Sequence, residues 1–173
     1  MPVEIERRFL VTSDEWRNVP SSSCAYRQSF LARTSESTVR VRRSESRATI
    51  TVKGPRIGLA RDEFEYTVPV AHADYMLQTM CVTPIIEKVR HFVQHAGMTW
   101  EVDVYGGDAT GLVLAEVEME HVLQPIVLPN WVGPDVTHDP RFRSTGISQN
   151  QWRDAAASMR KPAKVRRVAA QSA

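Results

Sequence analysis

The chain has 173 residues, of which 42% are hydrophobic and 24% charged, and its formal charge is +2. That length supports one domain with a substantial core, and no run of about 18 apolar residues offers a membrane span. Five of the 22 basic residues, Arg160, Lys161, Lys164, Arg166 and Arg167, sit in the last stretch, so the body is net acidic and is not a basic nucleic-acid-binding domain.

The first element is "VEIERRFLV", in which Glu4, Glu6 and Arg8 alternate with a largely apolar set, the signature of a strand with one charged face. The same period predicts strands over 3–11, 25–33, 38–44, 47–53, 61–70, 85–95, 98–106 and 111–121. "DEWRNV" at 14–19 reads as a short helix capped by Asp14. "RSESR" makes a hairpin between the third and fourth strands, "KGPRIG" a turn between the fourth and fifth, and "YGGD" a turn after the seventh. Helices are predicted over 70–80 and over 148–159, the latter with Ser148 as N-cap and an Ala-rich interior. "PNWVGPD" at 129–135 reads as a loop. Residues 1–159 form the domain and 160–173 a basic tail; a solvated, disordered end is expected there, with nucleic-acid contact the alternative. Cys24 and Cys81 have neither disulfide nor zinc spacing. The chain opens on a charged strand and not on an apolar leader, and the prediction is a cytoplasmic protein without membrane contact.

Applied to every strand, alternation puts charges on one face. Arg40 and Arg42 oppose Val39 and Val41; Lys53 opposes Ile50 and Val52; Arg61, Glu63 and Glu65 oppose Phe64 and Tyr66. Lys88 alternates with Arg90, Glu101 with Asp103, and Glu116 with Glu118. A single charged face would ordinarily meet water. Here the signs are segregated, acids with acids and bases with bases, whereas a solvated face intersperses them. Closing the strands into a barrel, charges inward and apolar faces outward beneath helices, accounts for both features. The predicted fold is therefore a β-dominated α+β domain: an eight-stranded antiparallel closed barrel with helices packed outside. Like charges in a dry lumen call for counter-ions. Carboxylate pairs suit Mg²⁺ or Mn²⁺, and arginine forks suit phosphate oxygens.

The ordered set "EIERR", R-x-R at Arg40 and Arg42, "TVKG", "RDEFE", "EKVR", "WEVDVY", "LAEVEME" and "VTHDPRFRS" resembles the CYTH superfamily, the triphosphate tunnel metalloenzymes, over about residues 2 to 158. The resemblance implies a triphosphate tunnel domain over 1–159 that hydrolyses inorganic triphosphate or nucleoside triphosphates, with Mg²⁺ or Mn²⁺ as cofactor and a triphosphate-containing small molecule as partner. It implies that Glu4, Glu6, Glu116 and Glu118 hold metal, with Asp103 and Glu63 nearby. Arg8, Arg40, Arg42, Lys53, Arg61, Lys88, Arg90 and Arg141 are the implied phosphate ligands. Glu63 and Glu65 are the candidates for taking a proton from the attacking water. Two positions depart from the family pattern. Arg8 stands where the family usually has Lys, a position expected to act in catalysis, and Phe30 stands where many inorganic triphosphatases of this type have Tyr. Both changes remove a proton donor usable at neutral pH and leave phosphate binding intact. A triphosphate or polyphosphate-binding module with little turnover is the alternative from another class, an adenylate cyclase of the same superfamily a further one, and a homodimer remains open.

Overall fold

β1 (Val3–Val11) sets the architecture because it pairs on both edges. The computed structural model describes residues 2–19 and 21–159, so the basic tail lies outside the described residues. Along one edge of β1, Glu6–Leu10 pair with β8 (Val113–Glu118). Along the other, Val3–Ile5 pair with β5 (Ala60–Val68). Between them lie β4 (Ala48–Lys53), β3 (Thr38–Arg43), β2 (Ser21–Arg33), β6 (Ile86–His95) and β7 (Met98–Tyr105), all antiparallel, so the ring closes. The closed eight-stranded barrel expected from the charge pattern is the fold found. β2 starts earlier than its composition predicts, because Ser21–Cys24 gain a ladder against Arg90–Val93 of β6 that serine-rich sequence does not advertise.

A ninth strand, β9 (Val132–Asp135), was expected to be loop. It pairs with β1 at Phe9 and Val11, where β1 has already parted from β5. Gly133 and Pro134 hide it from propensity reasoning. Both are tolerated because β9 has only one neighbour, the position in a sheet where proline's missing N–H costs least.

Three apolar clusters hold the barrel. On its outer face Phe9, Val11, Val93, Trp100, Val102, Ala115 and Val117 pack beneath Trp16, carried by the short 3₁₀ turn Glu15–Asn18, and beneath Trp131. The Trp100 ring lies 5.6 Å from Phe9 and 5.7 Å from Trp131. Elsewhere outside, α1 (Val70–Thr79) seats Ala73 and Leu77 on Val41 and Ala48. The third cluster faces inward. Leu10, Leu114, Ile86 and Tyr105 share the lumen face with Arg8, Glu116, Lys88 and Asp103, and they meet Phe142, Ile147, Trp152, Ala155 and Ala156. One end of the barrel is thus filled by side chains from the C-terminal segment, each large one contributing about 1.5–3 kcal/mol by burial.

That segment is a 3₁₀ turn (Pro140–Phe142), α2 (Ser144–Ile147) and α3 (Trp152–Met159). α1 packs outside as predicted; α2 and α3 close an end. Ser148 does not cap the long helix expected over 148–159. It follows α2, where its hydroxyl donates to Thr145 O, and Asn150 turns the chain through a left-handed conformation (φ 58) before α3 begins. No helix among the described residues is long and apolar enough to cross a membrane.

The closure depends on a close backbone approach. A Cβ on Gly146 would stand 2.5 Å from Pro140 O and 2.7 Å from Arg141 O. Gly146→Ala is predicted to destabilise the protein by roughly 1–3 kcal/mol, read as a lower midpoint in urea unfolding. An unchanged midpoint would show that the closure is not tightly packed there.

Candidate active site

The inward rows meet in register. Glu6 stands opposite Glu118, Arg8 opposite Glu116, Lys53 opposite Glu63, Arg90 opposite Asp103, and Glu101 opposite Glu116. All of these but Asp103 line a cavity of about 400 Å³, a size that suits a small-molecule ligand.

Of the residues singled out in the sequence, Glu4, Glu6, Arg8, Arg40, Arg42, Lys53, Arg61, Glu63, Glu65, Lys88, Arg90, Glu116 and Glu118 all line the cavity. Two do not. Asp103 is wholly buried behind the lining, accepting from Arg90 Nε and Nη2 at 2.7 Å each and from Lys88 Nζ. Arg141 is exposed and turned onto Asp139 at 2.6 Å. In its place Arg143 lines the cavity, joined by Arg56 from the β4–β5 turn. Neither was expected. The 3₁₀ turn at Pro140–Phe142 rotates the chain so that Arg141 points out and Arg143 in. Arg56 was hidden in "KGPRIG", although its place between the inward residues Lys53 and Arg61 was the available signal.

Most of the carboxylates are neutralised. Glu4 takes Lys53 Nζ at 2.8 Å and Arg61 Nε at 2.5 Å. Glu6 takes Arg56 at 2.7 Å and Arg8 at 3.2 Å. Glu63 pairs with Lys53 at 2.5 Å, and Glu116 with Arg8 at 2.8 Å and Arg90 at 2.9 Å. Glu101 pairs with Arg90. Burial alone would raise the pKa of Glu4, but Lys53 and Arg61 overcome it and hold the carboxyl well below its ordinary range. Likewise Glu116 is held down, against burial, by Arg8 and Arg90, and Asp103 by Lys88 and Arg90.

Arg8 is fixed on three sides. It donates to Phe142 O at 2.9 Å while holding Glu6 and Glu116, and despite full burial those carboxylates drive its pKa upward. It remains a cation and gives up no proton.

What is left unpaired defines the chemistry. Among the described residues three cations of the cavity lack a carboxylate. Arg40 donates to Thr51 Oγ1 at 3.1 Å, Arg42 to Gln28 Oε1 at 3.1 Å, and the Arg143 side chain has neither ion pair nor hydrogen bond. Burial, followed by the charge of Arg42, pulls Arg40 down to about 9. Phe30 stands opposite Arg40, an apolar ring in the same wall. On the acidic side, among the described residues, Glu118 has no cation of its own; burial, then Glu4 and Glu6, push its pKa up. Among the described residues the carboxylates turn onto Arg and Lys, and no three close on one point. Glu118, opposite Glu6, nevertheless brings hard carboxylate oxygens without an ion pair among the described residues, the donor type a divalent cation takes.

Three comparisons with known proteins agree with this geometry. A family model described as the CYTH domain matches residues 2–143. The chain is 36% identical over 154 residues to an inorganic triphosphatase of Acetivibrio thermocellus, covering 89% of this chain and 98% of that one. It is 32% identical over 152 residues to an inorganic triphosphatase of Nitrosomonas europaea, covering 84% and 96%. The crystal structure of an inorganic triphosphatase superposes with a TM-score of 0.63 at 28% identity, covering 84% of this chain and 97% of that one.

The buried network carries stability that can be measured. Asp103→Asn leaves Lys88 and Arg90 short of a counter-charge and is predicted to cost about 3–5 kcal/mol, measured by urea unfolding at neutral pH. The folded-state pKa values of Glu4, Asp103 and Glu116 are depressed. Their stabilisation is therefore complete above the ordinary carboxylate range and lost as pH falls through the depressed values. Wild-type stability should drop below about pH 4, and Asp103→Asn should flatten that drop; equal slopes would refute the assignment.

Proposed function

The chain belongs to the CYTH domain family, and we propose that it is a divalent-metal-dependent triphosphatase acting on inorganic triphosphate or nucleoside triphosphates inside its charged cavity. The observation that carries this reading is the coexistence, in one buried pocket, of unpaired arginines on one wall and an under-neutralised carboxylate group on another. An oligophosphate with its cation supplies both missing charges. Both similar relatives that were compared by sequence are inorganic triphosphatases.

In this reading Glu118, Glu6, Glu116 and Glu4 would hold Mg²⁺ or Mn²⁺. When bound, the cation supplies polarisation of phosphate oxygens and a lowered pKa for an attacking water. Arg40 and Arg42 grip phosphate oxygens and stabilise the charge that in-line displacement spreads over them. Lys53, Arg61, Lys88 and Arg90 serve the phosphates while keeping the carboxylates ionised. Asp103 acts from behind the lining by orienting Lys88 and Arg90. Glu63 and Glu65 are the candidates for receiving the water's proton. Burial pushes Glu63 up against the pull of Lys53, which suits it to accept one. Arg8 acts as a positioning cation for Glu6 and Glu116. The two free cysteines suit a cytoplasmic setting.

Phe30 favours one second reading. A ring without a hydroxyl in the wall beside Arg40 gives no proton to a leaving phosphate, so the cavity can instead be a triphosphate-binding module with little turnover.

Phosphate release from tripolyphosphate, ATP and GTP with Mg²⁺ and with Mn²⁺ separates the two. The enzyme reading predicts release that EDTA abolishes and either ion restores. It predicts that Glu118→Gln, at the rim and without an ion pair to lose, lowers tripolyphosphate hydrolysis on the order of ten- to a hundredfold while leaving the unfolding midpoint in place. Metal-dependent binding without phosphate release would select the binding module.

A further inference from the structure

We infer that Arg143 is a substrate-binding residue of the cavity, taking one phosphate of the bound oligophosphate and setting affinity more than the chemical step. The inference rests on the triphosphate reading above and extends it to a residue off the charged strand faces, inside "VTHDPRFRS" but two positions past Arg141, the arginine to which the resemblance gave that role.

Arg143 reaches the cavity from the segment that closes the barrel, on extended backbone between the Pro140–Phe142 turn and α2. It has Ser144 and Thr145 beside it in the lining. Its placement is firm. Phe142 before it is wholly buried and accepts a hydrogen bond from Arg8, and Gly146 after it is packed against Pro140 and Arg141 backbone. Yet the side chain these anchors hold in position makes no bond. Its Nε is buried without a partner, and no carboxylate lies within ion-pair range among the described residues.

The surroundings sharpen the point. The charges that act on Arg143 most strongly are those of Arg56, Arg8 and Arg61, with Glu6 contributing less. Glu6 is already shared among those three arginines. A fourth guanidinium beside three others, each already engaged with a carboxylate, destabilises the ligand-free protein. A purely structural arginine would sit where it satisfies an acceptor, and this one satisfies none. The species that relieves it is an anion with several oxygens, matched to a planar fork of donors. Because Arg143 bonds none of Glu6, Glu116 or Glu118, its removal leaves the acidic set undisturbed. In this inference it acts on bound substrate and on transition state alike, so its loss raises KM and spares kcat.

Steady-state hydrolysis of tripolyphosphate with Mg²⁺ or Mn²⁺, together with the thermal midpoint of the ligand-free protein, tests this on wild type, Arg143→Gln and Arg143→Lys. Arg143→Gln should raise KM on the order of ten- to hundredfold with kcat nearly unchanged, and Arg143→Lys should recover part of the loss. The ligand-free midpoint of Arg143→Gln should equal or exceed that of wild type, since a crowded cation has been removed. If the protein binds without turnover, the same comparison is read from the midpoint rise that tripolyphosphate produces. Unchanged affinity in Arg143→Gln, or a lowered ligand-free midpoint with affinity retained, overturns the role of Arg143 and leaves the triphosphate reading standing. A wild type that neither binds nor hydrolyses tripolyphosphate overturns that reading and this inference with it.

Discussion

Charge held against charge inside a closed barrel is the constraint to which every other part of this molecule answers. Taking an ion out of water costs several kcal/mol even after relaxation, and this lumen takes in more than a dozen. The cost is bearable only because rows of opposite sign are brought within hydrogen-bonding distance. Strand alternation and register alone can align so many side chains at once. β1 is central to that alignment. Glu4 reaches Lys53 and Arg61 on β4 and β5, Glu6 reaches the turn at Arg56, and Arg8 reaches Glu116 on β8. A one-residue slip of β1 would turn all three outward and bring Arg7 in, so the register is fixed as much by electrostatics as by hydrophobic packing.

The outward faces supply the stability that the lumen does not. Trp16, Trp100 and Trp131 with Phe9 make an aromatic cluster over β1, β6, β7 and β8, and α1 seals β3 and β4. The inversion of the usual sheet, polar inside and apolar outside, works because short helices and turns cover the apolar side. At one end the logic changes over. Beyond Arg8 the inward positions of β1, β8 and β6 become Leu10, Leu114 and Ile86, and an ordinary hydrophobic core takes over with Phe142 and Trp152. Arg8 stands at the border between the two regimes. Its guanidinium holds two carboxylates of the cavity and the carbonyl of Phe142 in the closure, while its backbone N–H donates to Thr137 Oγ1. A lysine ammonium is a compact point charge without that planar fork. The arginine thus makes the site and its closed end one mechanical unit.

How far this was legible beforehand follows from the same physics. Period-two alternation is local, so the eight strands and the inward face of each could be read from the sequence, and the segregation of sign showed which way they faced. β9 was missed because Gly133 and Pro134 suppress every local signal and its pairing is dictated by where β1 leaves β5. α2 and the true start of α3 were missed because Ser148, an apt N-cap by composition, is spent on the preceding turn. The misplaced arginine has the same origin: Arg141 and Arg143 differ only in how a 3₁₀ turn rotates them, a property of tertiary packing around Phe142. Asp103 reads as one more inward acid, and only its burial behind Lys88 and Arg90 separates a buttress from a ligand.

The groups left over are of opposite sign and yet do not neutralise one another. Glu118 belongs to the wall of β1, β8 and β7, where acids predominate; Arg40 and Arg42 belong to β3 on another wall, and Arg143 comes in from the closed end. Within a low-dielectric enclosure, charges free to approach would do so, and the strands hold them apart. Keeping unpaired ions at fixed separation costs stability that a protein selected for folding alone would recover by substitution. In the proposed reading, an acid edge that takes a hard cation and arginines that take phosphate oxygens would meet the two ends of one ligand. The cavity's missing charges are thus the most specific feature it presents.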